Sequence, residues 1–179
     1  MNAVIDTIMA RRSIRAYTDA PVDRATLEEV LRATTYTPSG GNRQVWRIVA
    51  VTNPAINGRV TEAVRGVLAR RQTDMPPSWK FGFGAPVVIH LALPREHPIA
   101  QYDAGCAAQT LFLAAASLGL STCWLSLLAS MSDEPEVRPL LTEIGIPETY
   151  VVHFSTPLGY AADTKPASPR KEGTTAIYD

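Results

Sequence analysis

Short apolar segments, each of strand length, alternate along this chain with longer segments of helical periodicity. Two helical segments come before the first strand candidate, and further helices separate the later ones. The four segments predicted to be strands are 46–52, 86–93, 121–125 and 150–155. Because strands and helices bury their apolar faces against other elements, this order predicts a mixed sheet covered by helices.

Local capping signals predict where several of the helices begin. Asp23 and Asn53 each precede a helical segment with a side chain that can accept from the first free backbone N–H groups. By the same argument, Asp103 is predicted to cap the alanine-rich helix that runs to Leu118, and Ser132 to cap a later helix. Four helix starts are thus assigned from single residues.

Length, charge and cysteine placement limit the class of protein. The 179 residues fit one domain, and Lys+Arg and Asp+Glu balance at 17 each, so neither nucleic acid nor an anionic membrane is an expected partner. The longest apolar stretch, 106–120, is interrupted and too short for a membrane span, and residues 1–10 lack the features of a secretory signal. A cytoplasmic protein is expected, with Cys106 and Cys123 as small core residues.

Two segments lack regular periodicity. Residues 72–84 combine prolines and glycines with three aromatic side chains, which predicts an irregular segment that could line a pocket. The tail, 161–179, is polar and contains proline, yet it carries Lys165, Arg170 and Lys171. Because it has too few apolar residues to pack as a helix, we expect a ligand or a second subunit to order it.

A basic cluster at residues 11–15 is followed, about one helix later, by a small-residue loop at 38–44. The cluster supplies three guanidinium groups and a hydroxyl that can bind an anion, and the loop lets a flat ligand approach the backbone. Together they predict a site for a phosphorylated cofactor. Alone, Arg11 and Arg12 would complement a helix end, Arg15 would form a surface ion pair, and the loop would be an ordinary turn.

Other common site chemistries lack their sequence patterns. The histidines His90, His97 and His153 have no cysteine or acidic residue at metal-ligand spacing, so no metal site is predicted. Ser39 does not lie in a G-x-S-x-G elbow, and no glycine cluster matches G-x-G-x-x-G or a P-loop. A hydrolase triad and a separate dinucleotide-binding domain are therefore not expected.

Four segments, taken in order along the chain, resemble the nitroreductase family of FMN-dependent oxidoreductases. The first is Arg11-Arg12-Ser13-Ile14-Arg15, similar to the family's opening phosphate-and-flavin motif. The second is Pro38-Ser39-Gly40-Gly41-Asn42-Arg43-Gln44 with Trp46, similar to the family's P-S-x-x-N-x-Q-P-W loop. The third, 103–109 with 118–124, is similar to the central helix and following strand, and the fourth is Leu158-Gly159-Tyr160 ahead of the basic tail.

The resemblance implies an α+β fold in which helices flank both faces of a mixed, mostly antiparallel sheet, giving three layers. It implies a homodimer of single FMN-binding domains, 1–179, whose tail, 161–179, is ordered by the cofactor or the partner. The implied reaction passes hydride from NADH or NADPH through FMN to a small oxidised acceptor such as a nitroaromatic or a quinone. Enal or semialdehyde reduction, flavin breakdown, and a non-enzymatic flavin-binding regulatory or storage dimer remain alternatives.

The resemblance also assigns roles to residues, with FMN sites at the dimer interface and no catalytic side chain. The basic cluster and tail would hold the phosphate, Arg15 would lie beside the flavin pyrimidine, and the loop would approach the flavin of the opposite subunit. A backbone amide of 125–127 would point at flavin N5, whereas Trp124 is as readily explained as core. The expected cofactor-binding residues are Arg11, Arg12, Ser13, Arg15, Pro38, Ser39, Gly40, Asn42, Gln44, Leu125, Ser126, Leu127, Arg170 and Lys171.

The chain departs from the family pattern at three places. Val45 stands where the family usually has proline, which should alter only the stiffness of the loop. Ser126-Leu127 replaces the usual glycine-containing dipeptide, so side chains there are expected to change access to the reactive edge of the flavin. The chain also lacks the long excursion that larger members place between the strand near Ala92 and the central helix, which predicts a more open pocket.

Overall fold

The computed structural model describes residues 2–179, which form a four-stranded sheet with helices on both of its faces. The strands follow the order β1-β2-β4-β3, and all three pairings between them are antiparallel. The elements are α1 (Ala3–Ala10), α2 (Arg24–Thr34), β1 (Arg47–Val51), α3 (Pro54–Arg70), β2 (Val87–Pro94), α4 (Ala100–Ser117), β3 (Ser121–Thr122), α5 (Arg138–Glu143) and β4 (Tyr150–Gly159). Single 3₁₀ turns occupy Gly40–Asn42, Phe81–Gly84 and Leu127–Ser130.

Side chains of β2 divide the core into two parts, because successive residues of a strand point to opposite faces. One face of β2, which includes Ile89 and Leu91, packs with α2 and α4. The other face, which includes Val88 and Ala92, packs with α3 and α5. The predicted three-layer α+β architecture is confirmed, and the parallel part of the sheet is limited to one bridge between Ser13 and Thr122.

A β-bulge between β2 and β4 allows both faces of the sheet to stay apolar. Leu91 is paired with Phe154 and the next residue, Ala92, with Val152, so His153 is the extra residue on β4. Phe154 therefore joins the core under α4, whereas Val152 joins the core under α3. Without the extra residue, Val152 and Phe154 would point to the same face.

Two of the four predicted helix caps are correct. The Asp23 side chain accepts from Thr26 N–H at the start of α2, and the Asn53 side chain accepts from Ala55 N–H at the start of α3. The prediction for Ser132 is wrong, because its hydroxyl donates to Leu128 O and accepts from Val152 N–H instead. This residue ties a buried turn to β4.

Other sequence expectations are also corrected by the structure. Asp103 does not cap α4, which begins three residues earlier, after Ile99. The strand predicted over 121–125 is only the two residues of β3, and Cys106 is exposed on α4 while Cys123 is buried as expected. No helix within residues 2–179 is both long and apolar enough to cross a membrane.

Candidate functional site

Three distant segments of the chain meet beside the C-terminal end of α4: residues 11–18, 121–127 and 160–165. Ile14 N–H donates to Thr122 O at 3.1 Å, which joins the basic cluster to β3. Thr18 N–H donates to Tyr160 O at 2.9 Å, which joins the same segment to the start of the tail. Backbone pairing thus brings together three of the four motif regions that the sequence singled out.

A cleft of about 490 Å³ opens between these segments and α1. Its volume lies within the range of about 300–1,000 Å³ that small-molecule sites occupy. Three cationic side chains line it, and two acidic ones, Asp6 and Asp163, lie at its wall. The cationic residues are Arg11, Arg12 and Lys165.

Two of the three cations that line the cleft have side chains without a partner within residues 2–179, and the same holds for Arg15. Within residues 2–179, the side chains of Arg11, Arg15 and Lys165 form neither a hydrogen bond nor an ion pair. The Arg11 guanidinium carbon lies 5.8 Å from the centroid of the Phe112 ring, which places its charge over an apolar wall. Unpaired guanidinium and ammonium groups that converge on a cleft are a donor set suited to a phosphate.

Arg12 has a different environment from Arg11. Its Nη1 donates to Met9 O at 2.6 Å and to Arg11 O at 2.8 Å, so it satisfies carbonyl groups at the end of α1. Arg12 therefore complements the end of α1, as expected if it does not bind a phosphate. Its buried Nε–H remains without a hydrogen-bond partner within residues 2–179.

The Cys123 thiol is affected by the charges of three of these cations. Burial raises the pKa of this thiol, while the positive charge of Arg15, the Ser13 hydroxyl and the charges of Arg11 and Lys165 oppose that increase. These four side chains come from residues 11–15 and from the tail, so both segments act on the same volume. Neither Cys123 nor Lys165 is among the residues that the resemblance assigned to the cofactor, although Cys123 lies within its third motif.

An aromatic stack lies next to this cationic region. The Trp124 and Phe154 rings stack with centroids 4.8 Å apart, and Phe112 meets both rings edge-on. Trp124 nevertheless remains 42% exposed. One face of its indole thus packs in the core while part of the ring faces solvent. Trp124 is therefore partly a core residue and is also available to a ligand.

The segment after Trp124 offers backbone donors. Leu125 N–H donates to Ser155 O at 2.9 Å and is therefore already occupied. Within residues 2–179, the N–H groups of Ser126 and Leu127 donate to no protein group. If one amide of 125–127 serves a ligand, the structure narrows the choice to these two.

The small-residue loop lies at the opposite end of α4 from the basic cluster. Gly40 N–H donates to Asp103 in the first turn of α4, whereas Arg11 and Arg12 share their cleft with Ala116 near its end. The rise along 13 helical residues separates these two points of α4 by about 20 Å. Within one chain, the loop residues Pro38, Ser39, Gly40, Asn42 and Gln44 therefore do not join the cleft.

The tail residues expected at the phosphate are not at the cleft either. Arg170 and Lys171 are exposed and do not line it, and the nearest tail cation that does is Lys165. Lys165 follows the Leu158-Gly159-Tyr160 motif by five residues, a position held close to the cleft by the pairing of Ala162 N–H with Ala16 O. Proximity to that motif was the signal in the sequence that could have identified it.

An antiparallel three-layer α+β fold whose cationic cleft lies next to an aromatic stack, with Trp124 partly exposed, is suited to a flat anionic ligand. The sequence profile of the Nitroreductase family matches residues 8–160. The chain belongs to the Nitroreductase family.

Solved structures and characterised relatives agree with this assignment. The crystal structure of a nitroreductase with bound FMN from Bacteroides fragilis superposes with a TM-score of 0.95, at 32% identity and with 100% of both chains covered. A nitroreductase with bound FMN from Desulfitobacterium hafniense gives a TM-score of 0.89 at 25% identity, again over 100% of both chains. The nitrobenzene nitroreductase of Ectopseudomonas oleovorans is 26% identical over 90% of this chain and 88% of its own.

Proposed function

We propose that this protein is an FMN-dependent oxidoreductase that takes hydride from NADH or NADPH and passes it to a small oxidised acceptor. The observation that carries the proposal is the pair of unpaired cations, Arg11 and Lys165, that line one cleft next to the aromatic stack of Phe112 and Trp124. The FMN-bound relatives and the nitrobenzene nitroreductase support it. So does an NADPH-flavin oxidoreductase from Vibrio harveyi, 28% identical over 100% of this chain and 74% of its own.

The residues of the cleft fit the chemical groups of FMN. A phosphate monoester carries close to two negative charges near neutral pH, and Arg11, Ser13 and Lys165 would neutralise and hydrogen-bond it. The fixed charge of Arg15 would favour electron density on the ring, and a free N–H of Ser126 or Leu127 would orient its edge. FMN, when bound, supplies the hydride chemistry, so the protein's part is to bind, orient and shield.

We also propose that the functional unit is a homodimer. Helix α1 buries none of its residues in one chain, and Val4, Ile5, Ile8 and Met9 are between 44% and 65% exposed. Such an apolar surface at the mouth of the cleft is typical of an interface. In an antiparallel pairing about a twofold axis, the loop of one chain can reach the cleft of the other, and the domain, 1–179, would use its exposed tail to cover the partner.

Titration with FMN tests the binding half of this proposal, and reduction tests the chemistry. Purified protein should quench flavin fluorescence with saturation at one FMN per chain, and NADH or NADPH should bleach the flavin absorbance in the absence of oxygen. Addition of a nitroaromatic or a quinone should then restore the absorbance. FMN binding without bleaching would contradict the enzymatic proposal, and failure to bind FMN would contradict the site itself.

Complementation between variants tests whether the site is shared by two chains. Arg11→Glu would damage the cleft, and Gly40→Val is expected to push the loop away from α4, because even a methyl group there would overlap Ile99 Cδ1 and crowd Cγ1, and valine adds two further methyl groups. Co-expressed in equal amounts, the two inactive chains should recover about a quarter of wild-type activity, since half of the dimers would hold one intact site. If each site were built by one chain, the mixture would stay inactive.

A further inference from the structure

The loop over residues 39–44 is joined to the rest of the fold by a single hydrogen bond. Four other hydrogen bonds of this loop are internal to it. Within residues 2–179, the only one that leaves the loop runs from Gly40 N–H to Asp103 Oδ1, at 3.0 Å. The polar attachment of the whole loop therefore depends on one buried side chain, 63 residues further along the chain.

Asp103 is itself held in place by a second partner. Its other oxygen, Oδ2, lies 2.8 Å from His97 Nε2, and both side chains are at most 5% exposed. Carboxylate oxygens accept hydrogen bonds, so His97 donates through Nε2 and fixes the rotation of the carboxylate. Both carboxylate oxygens therefore have a partner, and the contact with His97 fixes the direction in which Oδ1 accepts from Gly40 N–H.

The loop needs this attachment because its backbone is strained. Asn42 and Gln44 have φ values of 54° and 50°, in the left-handed region that non-glycine residues seldom adopt. Such conformations persist only where the surrounding structure holds them. Gly40 lies so close to the Ile99 side chain that an added Cβ atom would not fit without movement, so glycine at this position allows the loop to approach the start of α4, where Asp103 lies.

We propose that Asp103, oriented by His97, is the positioning residue of this loop. By holding Gly40 it fixes the direction of the Ser39 hydroxyl, whose oxygen accepts from Gln44 N–H and whose hydrogen remains free to donate. The anchoring stands on the contacts above, whereas its consequence for catalysis rests on the proposed function, in which the loop reaches the cleft of the partner.

Hydrogen exchange and proteolysis test the anchoring in protein without added FMN. Asp103→Ala should speed exchange of the Gly40 amide about tenfold or more, since it removes a hydrogen bond to a charged group. Trypsin should also cleave faster after Arg43, which is exposed in the loop. Asp103→Asn keeps an oxygen that accepts from Gly40 N–H, and its NH2 group can donate to His97 Nε2 when that ring carries its proton on Nδ1, so exchange should stay near wild type. Asp133→Ala, which removes a surface carboxylate paired with Arg95, should change neither rate.

Unchanged Gly40 exchange in a folded Asp103→Ala protein would overturn the proposal. Should that variant not fold, His97→Ala is measured in the same way, because it leaves the carboxylate free to rotate, and unchanged exchange there has the same meaning. In FMN-loaded enzyme, Asp103→Ala should lower kcat about tenfold because the loop is misplaced, and the Kd for FMN should not change. Asp103→Asn should restore kcat. If the wild type does not bind FMN, the proposed function is refuted, whereas the exchange result still tests the anchoring of the loop.

Discussion

Replacement of Arg11 by alanine tests the electrostatic basis of the proposed cofactor site. The side chain of Arg11 forms no hydrogen bond or ion pair within residues 2–179, so Arg11→Ala leaves no protein group without its partner. The contact that it loses with the Phe112 ring, at 5.8 Å, is worth about 0.5–1 kcal/mol at an exposed site. Folding stability should therefore change little, which separates an effect on binding from an effect on the fold.

The expected loss in affinity follows from one charge-assisted hydrogen bond. Such a bond contributes about 1.5–3 kcal/mol, so the Kd for FMN should rise by about 10- to 150-fold. The loss should shrink at high ionic strength, because salt screens the attraction between the guanidinium and the phosphate. A smaller effect is expected for Lys165→Ala, since a single ammonium lacks the paired donors of a guanidinium.

Riboflavin, which lacks the phosphate, supplies the matched control for this prediction. Fluorescence quenching would be titrated with FMN and with riboflavin, using wild type, Arg11→Ala and Arg24→Ala. Arg24 pairs only with Glu28 on the exposed face of α2, so its removal should leave both affinities unchanged. Equal weakening of FMN and riboflavin by Arg11→Ala would refute the phosphate assignment, as would a Kd for FMN that does not change.

Three further predictions concern stability and assembly. Burial lowers the pKa of His90 from 6.5 to about 4, so the unfolded chain binds a proton first as the pH falls below 6.5. Stability should drop by about 2 kcal/mol between pH 7 and pH 5 in urea titrations, and a His90→Gln variant that keeps the same slope would contradict this. Gly82→Ala should lower the free energy of unfolding by about 1–3 kcal/mol, since φ is +76° and a Cβ would lie 2.7 Å from Val88 Cγ2. Gly66→Ala, in open space on α3, should raise it by about 0.5–1 kcal/mol. Equal melting temperatures of the two variants would contradict this prediction. Removal of residues 166–179 should leave the unfolding of the isolated chain unchanged but weaken the dimer in sedimentation, and an unaltered dimer would exclude the tail from the interface.

Features that depend on neighbouring residues were predictable from the sequence. Asp23 and Asn53 cap their helices because the N–H groups they satisfy lie two or three residues away. Asp103 carries the same local signal, but α4 starts earlier and the carboxylate pairs with His97 and Gly40. Its role is set by a contact that no local pattern contains.

The candidate site also has one part that local sequence predicts and one part that depends on distant contacts. Residues 11–15 could be assigned to an anion because their side chains and the family motif agree, and Arg11 and Arg12 of this segment line a cleft. Arg170 and Lys171 were predicted for the phosphate, and within one chain it is Lys165 that lines the cleft, because a tail without periodicity gives no register for deciding which cation returns to the fold. That decision is made by the backbone pairing at Ala162.

Helix α4 sets the spacing between the two parts of the proposed site. It is buried largely through alanines, among them Ala107 and Ala108, which let it lie close against the sheet. Its first turn holds the loop through Asp103, and its last turns form a wall of the cleft at Ala116. Because both attachments belong to one helix, the loop and the cleft lie at opposite ends of α4 within a chain. In the proposed homodimer, a second α4 running in the opposite direction would bring the partner's loop to this cleft, and cofactor binding and pairing of chains should then strengthen each other.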